Sequence, residues 1–183
     1  MYNPVLDNAK TVLPNGNGSN EHEEKSPEAK QIPSKVEQGW ETALSDVGNA
    51  ERLVKRHGSK IRYCSSLGKW FIWNKKIWKK DNLGEIISLA IETARSIYQE
   101  VVLASDLSKQ EKLSKHALKS QARPRLEAMI HLAKHMVTVN QDELDSDPWL
   151  LNAENGILEL KTGNLLPHDP GKLLTKICNT EFD

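Results

Sequence analysis

Between Arg52 and Lys80 the chain carries Arg52, Lys55, Arg56, Lys60, Arg62, Lys69, Lys75, Lys76, Lys79 and Lys80, with no acidic residue among them. Between Val137 and Ile157 the charged residues are Asp142, Glu143, Asp145, Asp147 and Glu154, with no Lys or Arg. Formal net charge is zero, so bulk electrostatics names no partner and only this segregation can. Cations interleaved with aromatics suit a nucleic acid, because phosphates need positive charge and every base offers a π-face for stacking. Trp78 lies among Lys75, Lys76, Lys79 and Lys80 and is the stacking candidate. The commoner fate of a large aromatic is burial, with the lysines then merely solubilising the edge of a hairpin. The expected DNA contacts are Arg52, Lys55, Arg56, Lys60, Arg62, Lys75, Lys76, Trp78, Lys79 and Lys80.

Other chemistries fare worse. Glu127, His131 and His135 recur every four residues and would line one stripe of a helix. His-Leu-Ala-Lys-His lacks the internal glutamate of a zinc-protease helix, and a solvated polar face accounts for the stripe, so no metal site is expected. His168, bracketed by Pro167 and Pro170, reads as a turn-packing residue. Cys64 and Cys178 fit no metal or redox spacing and suit a reducing cytoplasm. No segment reads G-x-x-x-x-G-K-[ST], and no paired-carboxylate, Ser-His-Asp or Cys-His set stands out. Neither catalysis nor a cofactor is expected of this chain by itself.

At 183 residues there is room for one ordinary domain and a tail. Residues 1–38 are rich in Asn, Gly, Ser, Pro, Glu and Lys and read as a disordered leader; 39–183 read as the domain. No apolar run approaches the roughly 20 residues of a membrane helix, and Met1–Lys10 lacks the marks of a secretory signal. The fold class expected is α+β, mainly helical with two small β-hairpins. Leu44–Asn49 supplies caps for a short helix through Ala50, Leu53, Val54 and His57, closed by a left-handed Gly58. Lys69–Lys80 makes a hairpin on an Asn74-Lys75 turn, with Phe71, Trp73 and Trp78 on one face and Trp70, Ile72 and Ile77 on the other.

A long helix follows, with Leu83, Ile86, Ile87, Ala90, Ala94, Ile97, Tyr98 and Val101 as its stripe. A second opens on a Ser108–Glu111 capping box, with Leu113 and Ala117 inward and Leu118 as a marginal third. After a break at Ser120–Pro124, Leu126, Met129, Ile130, Ala133 and Val137 form the next stripe. Asp147-Pro148 then stops the chain before the apolar Trp149–Leu151, and Asn155-Gly156 turns it. Ile157–Leu160 is a strand, Lys161–Asn164 reverses it into Leu165-Leu166, and Thr175–Ile177 is a last strand.

In order, Asp147-Pro148, Leu151-Asn152, Asn155-Gly156, Leu160, Thr162-Gly163 and Pro167-His168-x-Pro170 closely resemble the signature of the "D-five" N-terminal domain of phage- and plasmid-type primase-helicases. That module precedes a superfamily-three helicase motor. The phrases LSDVGNAERLVKRHG and HALKSQARPRLEAMIHLA, and the tryptophan rhythm of Trp70–Trp78, extend the resemblance over about residues 42–180. Glu159 stands where the family more usually has Asp, and Lys75 where it usually has Gly.

The resemblance implies a cytoplasmic replication protein of a phage, plasmid or integrated element. Its role would be an adaptor or collar that contacts single-stranded or forked DNA and serves an ATP-driven hexameric motor. ATP and Mg would belong to that motor, expected downstream and absent here; the chain would be a fragment, or the product of a gene that has lost its motor. Partners implied are DNA, the motor domain or full-length helicase subunits, and copies of the chain itself, with no membrane. The alternative is a subunit-packing domain, or a stand-alone regulator, that touches no nucleic acid. Its basic side would then meet the acidic side of the next copy.

Overall fold

The computed structural model describes residues 42–183, so the leader expected over 1–38 lies outside them. Helix α1 (Asp46–His57) starts because the Ser45 hydroxyl accepts the Gly48 N–H at 3.1 Å, with Asp46 favouring the positive end of the helix dipole. Ala50 and Leu53 are fully buried. Gly58 is right-handed (φ −59) rather than left-handed as expected, and its N–H closes the last turn on the Val54 carbonyl.

Strands β1 (Ile61–Cys64), β2 (Lys69–Trp73) and β3 (Trp78–Lys80) follow, and with β4 (Thr138–Val139) they form a sheet ordered β3-β2-β1-β4, in which only β1–β4 is parallel. The hairpin register differs from expectation. A four-residue turn puts Trp73 opposite Trp78 and Ile72 opposite Lys79, with Lys75 at φ 81 and the Asn74 side chain accepting the Lys76 and Ile77 N–H groups. The slip is two residues, which leaves every side chain on its own face. Trp70 and Ile72 therefore pack under the helices, while Phe71 and Trp78 pack on the other side with Cys64 and Val139, and Trp73 lies against them. A strand covered on both faces reads as an unbroken apolar run, as KWFIW does.

Helix α2 (Glu85–Leu103) is capped by Asp81, whose carboxylate accepts the N–H groups of Leu83, Gly84, Glu85 and Ile86 at 2.8–3.2 Å. Gly84 permits this turn by taking φ +77. The cap starts the helix late enough that Leu83 is 99% exposed, and Ile87 and Tyr98 fall on an exposed flank; the inward stripe is Ile86, Ala90, Thr93, Ala94 and Ile97. Helix α3 (Leu107–Ser120) starts earlier than expected, because Asp106 rather than Ser108 caps it by accepting the Lys109 N–H at 2.7 Å. Leu113 and Ala117 are buried, and Leu118 is exposed. Helix α4 (Arg123–Ala133) gives way to a 3-10 turn, which carries Val137 into the core by another route. Helix α2 lies along α3, and α1 along α4.

The second sheet is an antiparallel meander of β5 (Leu150–Ala153), β6 (Gly156–Glu159) and β7 (Asn164–Leu166). Gly156 opens β6 instead of sitting in the turn, since a Cβ there would stand 2.5 Å from the Leu166 carbonyl oxygen. Thr175–Ile177 is not a strand. Residues 174–180 run as an irregular strap that bends at Asn179 and Thr180, each end bonded to a different sheet: Trp78 N–H to Leu174 O at 2.8 Å, Cys178 N–H to Asn152 O at 2.8 Å, and Glu154 N–H to Thr180 O at 3.0 Å. Asp145 anchors its start, accepting the Thr175 N–H at 2.7 Å and hydroxyl at 2.5 Å.

Two histidines, the buried His57 and the half-buried His116, set a pH response. His57 Nε2 has no hydrogen-bond partner, and burial lowers the His57 pKa against the opposing pull of Glu92. Burial, then Arg52 and Arg125, lowers that of His116. Both take up a proton less readily in the folded chain than in the unfolded chain, which charges near the ordinary value of about 6.5. Stability is therefore full above that pH and is expected to fall as pH drops below it, read by urea denaturation between pH 7.5 and 5. His57→Leu removes an unpaired buried nitrogen, so it is expected to raise stability at neutral pH by about 1 kcal/mol and to flatten the slope. A loss of more than about 1 kcal/mol would show instead that the imidazole makes a needed contact.

Candidate nucleic-acid interface

The cations of α1 have divergent fates. Arg52 is buried; its Nε and Nη2 donate to the Glu100 carboxylate at 2.6 and 2.7 Å, and Nη1 and Nη2 donate to the Ala43 and Thr42 carbonyls at 3.0 and 3.1 Å. It ties the entering chain to α2 and has no surface left for a phosphate. Arg56 makes an exposed pair with Glu92 at 3.1 Å, weak enough to be exchanged. Lys55 is exposed, with no ion pair among the described residues.

Arg62, on β1, is committed inward. Its Nη1 donates to the Gly58 and Ile61 carbonyls, and the guanidinium stacks 4.9 Å from the Trp78 ring centre. Burial lowers its pKa from the ordinary arginine value, and it remains charged. Trp78 itself is 1% exposed, with Nε1 donating to the Pro170 carbonyl at 2.8 Å. It offers no face to a base, and the stacking role expected for it gives way to a core role. Lys76 is engaged by Glu154, whose carboxylate and main-chain oxygen both accept from its ammonium.

Lys60, Lys75, Lys79 and Lys80 remain. All four are exposed, with no ion pair among the described residues. The Trp73 N–H bonded to Lys60 O at 2.9 Å brings Lys60 to the end of β2, two residues from Lys75 in the turn. Lys79 and Lys80 follow on β3, a strand at the sheet's edge, and alternate faces. Of the ten side chains expected at the interface, those four, with Lys55 and the exchangeable Arg56, lie on the surface and are accessible.

Glu92 and Glu100 on α2 were not legible as partners, being 36 and 48 residues from the arginines they neutralise. Nor was the junction at Asn152, which is buried; its amide nitrogen donates to the Lys76 and Lys176 carbonyls, and its oxygen faces His168 Nδ1 at 3.0 Å. His168 thus packs a turn, and its bracketing prolines were the available signal.

Asn49, His116 and Ser120 form a hydrogen-bonded set, His116 Nε2 lying 2.8 Å from Asn49 Oδ1 and 3.2 Å from Ser120 Oγ. Ser120 is 1% exposed, so its hydroxyl is a packing group and not a nucleophile. On α4, Glu127 pairs with Arg123 at 2.7 Å, and the exposed ring of His131 stands 6.4 Å from that of His135 in the 3-10 turn that follows. Among the described residues no group of His, Cys, Asp and Glu is placed to hold a metal ion, and no helix is long and apolar enough to cross a membrane.

A model of the family described as D5 N terminal like matches residues 50–183, most of the chain. The chain belongs to that family and is an N-terminal-type domain of primase-helicases. No curated protein matches it.

Proposed function

We propose that, as a D5 N terminal-like domain of the primase-helicase type, this chain is a DNA-replication adaptor. It contacts DNA and positions an ATP-driven helicase motor, in the host cytoplasm of a phage or plasmid. The observation that carries the DNA contact is the exposure of Lys60, Lys75, Lys79 and Lys80 at one end and one edge of a single sheet, with no acidic side chain on them among the described residues. The contact is with the sugar-phosphate backbone, because Trp70 and Trp78 are enclosed and the half-buried Trp73 packs against Trp78; it fixes register and carries no base sequence.

Binding is expected to weaken steeply with salt. For single-stranded oligonucleotides the log–log slope should be about −0.7 per phosphate contact, or roughly −3 for four lysines. Fluorescence anisotropy across a range of salt concentrations measures it, and a slope near zero would reject the contact.

A second reading, a domain that packs against protein and touches no DNA, has one observation in its favour. On the outer face of the meander Trp149, Leu151, Leu160 and Leu165 are 40–49% exposed. The ladders bring Leu151, Leu158 and Leu165 into one row, with Trp149 beside Leu160. Such a face associates through apolar burial, so self-association that salt leaves unchanged, seen by sedimentation, together with no DNA binding, selects this reading.

A further inference from the structure

One cation at the tip of the β2–β3 hairpin is not free, and the way it is held has a consequence for binding. The Lys76 ammonium donates to the Glu154 carboxylate and, at 2.8 Å, to the main-chain oxygen of the same residue. The two turns involved are pinned independently of that pair. Asn74 accepts the Lys76 and Ile77 N–H groups at 3.0 and 2.8 Å, Asn152 donates to the Lys76 carbonyl at 3.0 Å, and Glu154 N–H donates to the strap at Thr180. His168 Nε2 stands 3.3 Å from the Glu154 carbonyl. The side chains of Lys76 and Glu154 are 42% and 37% exposed, so water reaches the pair and it holds weakly. A carboxylate oxygen on an ammonium has the charge sign and acceptor chemistry of a phosphodiester oxygen. Lys75 is the next residue, exposed and without an ion pair among the described residues.

We propose that Lys76 belongs to a phosphodiester seat at the hairpin tip that Glu154 occupies in the free protein, and that a DNA strand lying along Lys75, Lys79 and Lys80 displaces the Glu154 carboxylate. This inference rests on the DNA contact proposed above. Glu154 then sets a threshold: an isolated anion gains too little to open the pair, whereas a strand already held by the neighbouring lysines presents its next phosphate at high local concentration.

The test is anisotropy of a fluorescein-labelled oligothymidylate with the full chain. Glu154→Gln is expected to tighten binding up to about fivefold at about 0.1 M salt, because no ion pair has to be opened, and to leave the log–log slope near that of the wild type, because Lys76 meets the same phosphate in both. The double variant Glu154→Gln with Lys76→Gln is expected to lose that gain. Should Glu154→Gln lower the melting temperature, Glu154→Asp withdraws the carboxylate by one methylene at unchanged charge and is expected to tighten binding by a smaller factor. Wild-type affinity in a fully folded Glu154 variant overturns the seat and leaves the DNA contact standing. So does a gain that survives in the double variant, which would be the general effect of deleting an anion. Failure of the wild type to bind at all overturns both.

Discussion

Trp78→Ala is expected to cost about 3–5 kcal/mol of folding free energy, the range for deleting a buried aromatic, and to lower Tm by roughly 10–15 °C. The indole lies in a cluster with Cys64, Phe71 and Val139, and the Trp73 ring centre is 5.6 Å away. Its loss opens a cavity, strands the Pro170 carbonyl and removes the ring on which the Arg62 guanidinium rests. Leu173, which packs against the same cluster, loses apolar contact as well, while alanine keeps the backbone N–H that holds Leu174. Urea denaturation followed by circular dichroism measures the cost. Trp78→Phe keeps a six-membered ring but loses the N–H and the rest of the indole, so it should cost about 2–3 kcal/mol. Its DNA affinity, measured well below Tm, should equal that of the wild type. A Trp78→Phe variant that folds normally and loses DNA binding would return Trp78 to the interface as a stacking residue.

Reversing Lys75, Lys79 and Lys80 together to Glu is expected to act in the opposite way, sparing the fold and removing the binding. All three side chains are exposed without an ion pair among the described residues, so the melting temperature should shift little. Three lost phosphate contacts flatten the log–log salt slope by about 2 units and lower affinity at about 0.1 M salt by about 100-fold, before added repulsion is counted. The control is Lys119→Glu, exposed on α3 and outside the sheet that carries the three lysines, which should bind as the wild type does. An affinity for the triple variant within about threefold of wild type would remove the sheet edge from the proposed interface.

Repeating patterns were read correctly wherever the physical cause was local. The α+β class and α1 follow from side-chain periods of 3.6 and 2 with a serine cap. The faces of KWFIW survived a wrong turn length because a slip of two residues preserves parity. The errors cluster where two local signals competed. Asp106 and Ser108 could each cap α3, and Asp106 won by two residues. Leu83 fitted the stripe of α2 by spacing, yet Asp81 started the helix after it.

The family was determined by the sequence alone, because it rests on an ordered string of Asp, Pro, Asn and Gly positions whose turn-forming chemistry is local. The presence of a basic half was likewise written in the chain. Which of those cations face solvent was decided only by the tertiary structure. Arg52 and Lys76 are drawn from the same charge run as Lys75 and Lys79, but they meet Glu100 and Glu154, 48 and 78 residues away in sequence. Coulomb interaction depends on distance in space, so the run reads the same whether its charges are paired or free. Folding brings some carboxylates within reach and leaves others apart, and that selection is what leaves the free lysines on one sheet edge.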